Sequence, residues 1–435
     1  MKLWLKRTLG VSLGASILLS SCLSCGSSDG EGKKEASETG LTLFLSSMNQ
    51  DYYSTILEEY QTLYPEVELQ LEVMPEADFN GVRSRMNAQL MAGEGPDILL
   101  IAFNYFDDVD KMMKAGVFAP LDPFLEADEE FNRTDYVESV LDVGVFDGTQ
   151  YIMPLGYQYR LAITTQEIID ETGFDTTASS AGYFGFVEQM DKLYQNYPDR
   201  YVVATAGSLA NFPNVMGVEL FDYKNGKVLM DTPEIKTACE YYKNLYPQDN
   251  DNSRISSDLD MVSSDLASKK SMIYFSPGVS FSFELANNLV EAGCTPVLLS
   301  YPQVDGGVSS VCELAMAIRA NSKNQQNAYN MIRLFLTEEN QHLVSRNNLP
   351  VKRTVIHDVV SQEYEKYVLN DSGITEEFAN QYEQLASSVK SCHFTNHLVV
   401  SDFVSGKMKP YFLGEKSYEE CMKDFVDYAE IYLSE

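Results

Sequence analysis

The chain reads as an α/β protein of two lobes, and three observations predict it. Between Leu41 and Ala102 the apolar residues switch repeatedly from strand spacing to helix spacing and back. The roughly 395 residues that follow residue 40 exceed what one hydrophobic core usually supports. Short Pro- and Gly-containing segments also fall where one apolar run closes and another opens, at Pro154, at Ser276-Pro277-Gly278 and at Leu349-Pro350.

Leu41–Leu45 (LTLFL) is a compact apolar run and predicts a strand. Tyr53–Tyr64 carries apolar residues at helical spacing and stops at Pro65, and Val67–Val73 alternates as a second strand. Phe79–Ala92 is again helical. Gly93 can close that helix in the left-handed conformation, Pro96 prevents its continuation, and Ile98–Ala102 is apolar throughout, as a strand buried on both faces requires. The order β-α-β-α-β implies parallel strands with covering helices.

Ahead of these elements, Lys2, Lys6 and Arg7 precede the apolar stretch Thr8–Leu19, and Leu19-Ser20-Ser21-Cys22 closes it. About a dozen apolar residues are too few for the roughly 20 of a spanning helix, while small residues before a cysteine suit a cleaved lipoprotein leader. Cys22 is the expected lipidated N-terminus, residues 1–21 the leader and residues 22–40 a tether; an ordinary secretory leader cut elsewhere is the alternative. Gly26–Gly40 is polar and small, with too little apolar surface to offset the entropy of ordering. Its fifteen residues span about 20 Å as a coil.

The formal net charge is −32, and loss of three leader cations with no acids moves it to −35. Such acidity argues against nucleic acid and anionic headgroups as partners. Beyond the leader, Cys25, Cys239, Cys294, Cys312, Cys392 and Cys421 contain no CxxC pair, and no disulfide is expected. After residue 40 the enzyme motifs Gly-x-Ser-x-Gly, His-Glu-x-x-His and the P-loop do not occur. His393 and His397 would share a face if helical and could bind a metal with the Cys392 thiolate, but no fourth ligand can be named and their apolar neighbours suggest burial, so no metal is expected. No catalytic residue and no cofactor is expected.

Several segments together resemble the extracellular solute-binding proteins of ABC importers, the maltose-binding-protein group in its lipoprotein form. They are the helix closing in Ala92-Gly93-Glu94-Gly95-Pro96-Asp97, the hairpin Phe146-Asp147-Gly148-Thr149-Gln150-Tyr151-Ile152-Met153-Pro154, and the turn Leu266–Met272, with Lys269 where Gly is usual. Asn327–Leu336, Glu338–Gln341, Leu349-Pro350-Val351 and the closing Tyr411–Gly414 follow in the same order. The resemblance implies a type II periplasmic-binding-protein-like fold, two mostly parallel α/β lobes hinged over a cleft. Residues 41–155 and 279–348 are expected to form the first lobe and 156–278 and 349–435 the second, with crossings after Pro154, near Ser276–Gly278 and near Leu349-Pro350.

Ligands of such sheets bind beyond the carboxyl ends of strands. That rule names Ser46, Ser47, Met48 and Asn49 after the first strand, and Phe103, Asn104, Tyr105 and Phe106 after the third. It adds Tyr157, Gln158 and Tyr159 at the hinge, Gly207, Ser208, Asn211 and Phe212 in the second lobe, and Phe275, Ser276 and Phe281 at the second crossing. Aromatic faces mixed with neutral hydrogen-bonding groups suit a sugar. With 27 tyrosines and 22 phenylalanines in the chain, each of these rings has core packing as its alternative role. In the family an Asp commonly stands at the position of Asn104 and a Glu at that of Gln158; both replacements remain able to recognise hydroxyls while weakening the case for a cation. The only tryptophan, Trp4, lies in the leader, which shifts weight toward a smaller sugar or a non-sugar solute such as a peptide. The resemblance thus implies a monomeric receptor, exported and held at the outer face of a membrane or facing a periplasm, that delivers a small-molecule solute to permease subunits. A polyamine receptor and a lipid-anchored glycan-active enzyme are the remaining alternatives.

Overall fold

The computed structural model describes residues 40–434 except 75–78, 103–105, 107, 160, 206, 252–257, 277, 347, 370–372, 395–399 and 401, and omits the side chains of residues 79, 80 and 102. The leader, the tether and Cys22 lie outside the described residues. Two main sheets organise the rest.

The opening elements form as their sequences require. β1 (Gly40–Ser46) pairs in parallel with β2 (Glu68–Met74) and with β3 (Ile98–Ala102), and Leu43 stands opposite both Leu71 and Ile98. The helix Ser54–Leu63 buries Ile56, Leu57 and Tyr60 and ends ahead of Pro65, which has no N–H to continue it. Gly93, at φ +73°, closes the helix Phe79–Met91.

β4 (Val145–Phe146) and β5 (Thr149–Gln150) form a hairpin whose two turn residues, Asp147 and Gly148, have φ of 49° and 82°. Two positive angles match the right-handed twist of the flanking strands. β6 (Ile152–Tyr159) follows and joins the first sheet. The second sheet takes β7 (Leu161–Thr165), β8 (Tyr201–Val203), β11 (Ser271–Ser276) and β12 (Pro296–Ser300), in the order β12-β7-β11-β8. Between β8 and β11 lies the small hairpin of β9 (Phe221–Asp222) and β10 (Lys227–Val228).

β13 (Val308–Ile318), β14 (Leu349–Pro350) and β15 (Val389–Phe394) return to the first sheet, whose order is β14-β6-β13-β3-β1-β2 with β15 on the leading half of β13. The expected parallel core is β2-β1-β3; β13 runs antiparallel to β3 and β6, so the sheet around it is mixed.

The crossings between the two sheets lie where their strands end. β6 runs on through Pro154 to Tyr159, so the first lies between β6 and β7. β13 shifts register between Leu314 and Ala315, opposite Gly156 and Pro154, and an irregularity there tolerates a residue with no N–H. The second is not at Ser276–Gly278: the helix Val279–Glu291 and β12 stay with the second sheet, and the chain crosses between Ser300 and Val308. At the third place, β14 still pairs with β6 and the helix Arg353–Val368 begins only afterwards.

Two buried polar side chains tie distant parts of the chain together. The Asp97 carboxylate, 6 % exposed, accepts from Thr42 N at 3.0 Å, Ser322 Oγ at 2.6 Å and Asn324 Nδ2 at 3.3 Å, and Arg319 Nη2 stands 3.4 Å away. Gln341 is fully buried: its Nε2 donates to the Leu155 and Phe335 carbonyls, and its Oε1 accepts from Val351 N and Lys352 N. Lys269 takes the left-handed φ of 58° that the usual Gly would reach without strain, at a cost of about 1–2 kcal/mol. Its Nζ donates to the Glu167 carbonyl and pairs with Glu171. Removing one partner of a buried charged cluster leaves the others uncompensated, so Asp97→Ala should cost roughly 3–5 kcal/mol in urea unfolding and Asp97→Asn less.

Candidate functional site

The carboxyl end of β1 runs directly into the helix Ser47–Tyr52. Ser46 is buried and caps it, its Oγ accepting from Asn49 N at 3.1 Å. Asn49 is only 7 % exposed, and its Nδ2 has no hydrogen-bond partner. A buried, unsatisfied amide donor costs about 1–3 kcal/mol, so it is a group with something to gain from an incoming acceptor. Ser47 beside it is half-buried, while Met48 and Tyr52 are exposed at 48 % and 43 %.

Phe103, Asn104 and Tyr105 lie outside the described residues. Phe106, after them, is buried edge-on against Phe44 at 5.9 Å. In β6, Tyr157 and Tyr159 are interior struts rather than exposed rings: Tyr157 Oη donates to the Ala386 carbonyl at 2.8 Å, and Tyr159 Oη donates to that of Tyr382 at 3.3 Å. Burial pushes both phenols well above their ordinary range. Gln158, between them, is half-buried.

In the second sheet, Ser208 Oγ donates to the Thr205 carbonyl at 2.9 Å and lies 2.8 Å from Thr205 Oγ1. Asn211 is half-buried and accepts from Asn214 Nδ2 at 2.7 Å, and Gly207 is exposed at φ +76°. Phe212, by contrast, is core, 5.3 Å from the Tyr242 ring. Phe275 likewise packs on Tyr301 at 4.8 Å. Ser276 is buried with its Oγ 2.8 Å from Ser282 Oγ. Phe281 is exposed at 44 %.

The structure therefore divides the sequence candidates. Ser47, Asn49, Gln158, Ser208, Asn211 and Phe281 keep polar groups or exposed surface near strand ends and crossings, whereas Tyr157, Tyr159, Phe212 and Phe275 are committed to packing. Tyr52 is an exposed ring that sequence reading did not single out, because nothing in the pattern distinguishes it from its buried neighbour Tyr53.

A surface groove of about 570 Å³ lies elsewhere, between Pro123–Glu130 and the helix Gln325–Phe335, and it holds none of the sequence candidates. Its polar groups are largely spent on one another: Tyr329 Oη donates to Asp128 at 2.9 Å, and Arg333 is 3.4 Å from Asp128 and also pairs with Glu130. No group of three or more His, Cys, Asp or Glu that could hold a metal occurs among the described residues. Cys392 and His393 lie on the strand β15, not a helix; burial pushes the Cys392 thiol up to about 12, unlike a metal-binding thiolate; and His397 lies outside the described residues. The five described cysteines are free thiols, and no described helix is long and apolar enough to cross a membrane.

The sequence model of the family described as bacterial extracellular solute-binding protein matches residues 55–370. A maltotriose-binding protein of Pyrococcus abyssi is 22 % identical over 201 residues, a match covering 45 % of this chain and 40 % of the relative's length. Among solved structures, the sugar-binding protein MalE of Xanthomonas citri superimposes with a TM-score of 0.67 at 13 % identity, over 91 % of this chain and 98 % of the other. A solute-binding protein of Thermotoga lettingae bound with α-D-tagatose gives 0.58 at 14 % identity over 91 % and 100 %. The cyclic α-maltosyl-1,6-maltose binding protein of Arthrobacter globiformis gives 0.61 at 15 % identity over 91 % and 98 %. Likeness at such identity establishes the two-lobed fold.

If Tyr157 is a strut, Tyr157→Ala should cost about 3–5 kcal/mol in unliganded unfolding, while Phe281→Ala should change it by about 0.5 kcal/mol or less. Denaturant titration of the two variants checks the order; a reversed order would return Tyr157 to the candidate ligand set.

Proposed function

The chain belongs to the bacterial extracellular solute-binding proteins, and from that membership we propose that it is the lipid-anchored receptor of an ABC importer, capturing a sugar or oligosaccharide between its lobes. The single observation that most supports a hydroxyl-rich solute is Asn49, whose buried Nδ2 stands unpaired at the end of β1. Around the strand ends the other candidates are amides and hydroxyls, Asn104, Gln158, Ser208 and Asn211, which can both donate and accept. The sugar ligands in the names of the Pyrococcus, Thermotoga and Arthrobacter proteins point the same way. The absence of tryptophan after Trp4 favours a small sugar, or a peptide as the second reading, because stacking then rests on smaller rings.

The working cycle is closure without chemistry. Solute bridges the lobes and favours the closed arrangement in proportion to its differential affinity for it, and the closed surface docks on the permease subunits. Backbone rotation is absorbed where the chain crosses between sheets, between Tyr159 and Leu161 and between Ser300 and Val308. Lipid on Cys22 keeps the receptor at the membrane that holds its transporter, and the 22–40 tether leaves it free to turn.

A thermal-shift screen of mature protein against sugars, oligosaccharides, peptides and polyamines identifies the solute class, since ligand at 100 times its Kd adds about 2.7 kcal/mol. With the best ligand, Asn49→Ala, Asn104→Ala and Gln158→Ala should each lose about five- to 150-fold in affinity by calorimetry, and the ligand should be recovered chemically unchanged. Full affinity in all three variants would move the site off these strand ends, and a released product would establish an enzyme instead. Separately, Cys22→Ala should leave the protein unlipidated and free of the membrane fraction; labelled fatty acid still entering that variant would refute the anchor.

A further inference from the structure

A buried carboxylate joins the lobes at Asp108. Asp108, 4 % exposed, follows β3 and the 103–105 segment and caps the helix Val109–Lys114, its Oδ1 accepting from Lys111 N at 3.0 Å. Its Oδ2 accepts from two phenols of the other lobe, Tyr432 Oη at 2.9 Å and Tyr223 Oη at 3.3 Å. Lys111 reaches the same place, donating from Nζ to the Tyr432 carbonyl at 2.6 Å and standing 4.2 Å from the centre of its ring.

Both phenols hang from parts anchored in the second lobe. Tyr432 is near the end of the helix Tyr418–Ser434, which packs through Phe425 on Phe403, itself against Phe212, and pairs Glu419 with Lys236. Tyr223 lies in the turn of the β9–β10 hairpin. Beside it, Lys224 meets Asp147 of the β4–β5 turn at 2.6 Å, with both side chains more than half exposed. That outer pair is solvated and contributes little, whereas the Asp108 bonds are shielded. Desolvation, then the neighbouring Asp108 charge, pushes the half-buried Asp110 carboxyl up to about 8.

We propose that Asp108, gripped by Tyr223 and Tyr432, is the catch that holds the two lobes closed and sets how long a solute stays. The inference rests on the receptor reading above, in which the lobes open and close. Releasing the catch breaks three side-chain bonds and no strand pairing. Its position just after the 103–105 segment places it next in the chain to residues named for the solute.

The test is the double variant Tyr223→Phe/Tyr432→Phe of mature, unliganded protein, which keeps both rings and removes both donors. Amides of 109–114, 221–228 and the last turn of 418–434 should exchange with deuterium about five- to tenfold faster, and the radius of gyration from small-angle scattering should rise, with the urea midpoint little changed. Maltotriose, used as probe, should dissociate about five- to tenfold faster from the variant. If the unmodified protein fails to bind maltotriose, the solute reading is revised while exchange and scattering still judge the catch. Unchanged exchange and scattering, or a lowered urea midpoint without expansion, would show that the phenols are ordinary packing and overturn the proposal.

Discussion

The architecture turns on one buried carboxylate. Asp97 receives a backbone N–H from Thr42 in β1, a hydroxyl and an amide from Ser322 and Asn324, and the guanidinium of Arg319. Arg319 also donates to the carbonyls of Pro96 and Gly93. Burying a charge costs several kcal/mol unless every lone pair finds a partner, so these groups are held at one place by the carboxylate they share. The result sets the level of β3 between β1 and β13. At the far ends of the same strands that alignment delivers Ser46 and Ala102 to one edge, where the candidate site begins.

The first five elements were legible because their signals are local: uniform apolar runs for strands buried on both faces, helical spacing, and Gly93 and Pro96 as punctuation. The crossings were not, because they depend on partners distant in sequence. Pro154 looks like a break, yet a register shift in β13 lets β6 pass through it. Gly278 looks like a hinge, yet its φ of 179° is ordinary extended backbone leading into a helix. The strand-end rule picked out Asn49 and Gln158, which the structure places in the helix just after β1 and near the end of β6. The alternation Tyr157-Gln158-Tyr159 puts both rings on one face and the amide on the other but cannot say which face is interior, since that depends on partners distant in sequence, Ala386 and Tyr382.

Tyrosine does much of the structural wiring. Phenols donate to backbone carbonyls at Tyr60, Tyr157 and Tyr159 and to carboxylates at Tyr242, Tyr329 and Tyr432. Each combines a large apolar face with one directed bond, so it fills volume and fixes orientation together. This use of aromatics accounts for Tyr157, Tyr159, Phe212 and Phe275, which take the core role that so many rings in one chain allow.

β13 takes β3 and β6 as neighbours although both end well over 100 residues before it, at Ala102 and Tyr159, and β12, just before it, belongs to the other sheet. The two lobes are therefore interleaved along the chain, and no single cut yields one complete sheet. As the polypeptide emerges from the ribosome, Ile98–Ala102 has only β1 to pair with, and Ile152–Tyr159 must wait, apolar and unpaired, until β13 has followed. A nascent chain of this topology cannot finish its first sheet early, which leaves the folding of that sheet to a late, concerted event.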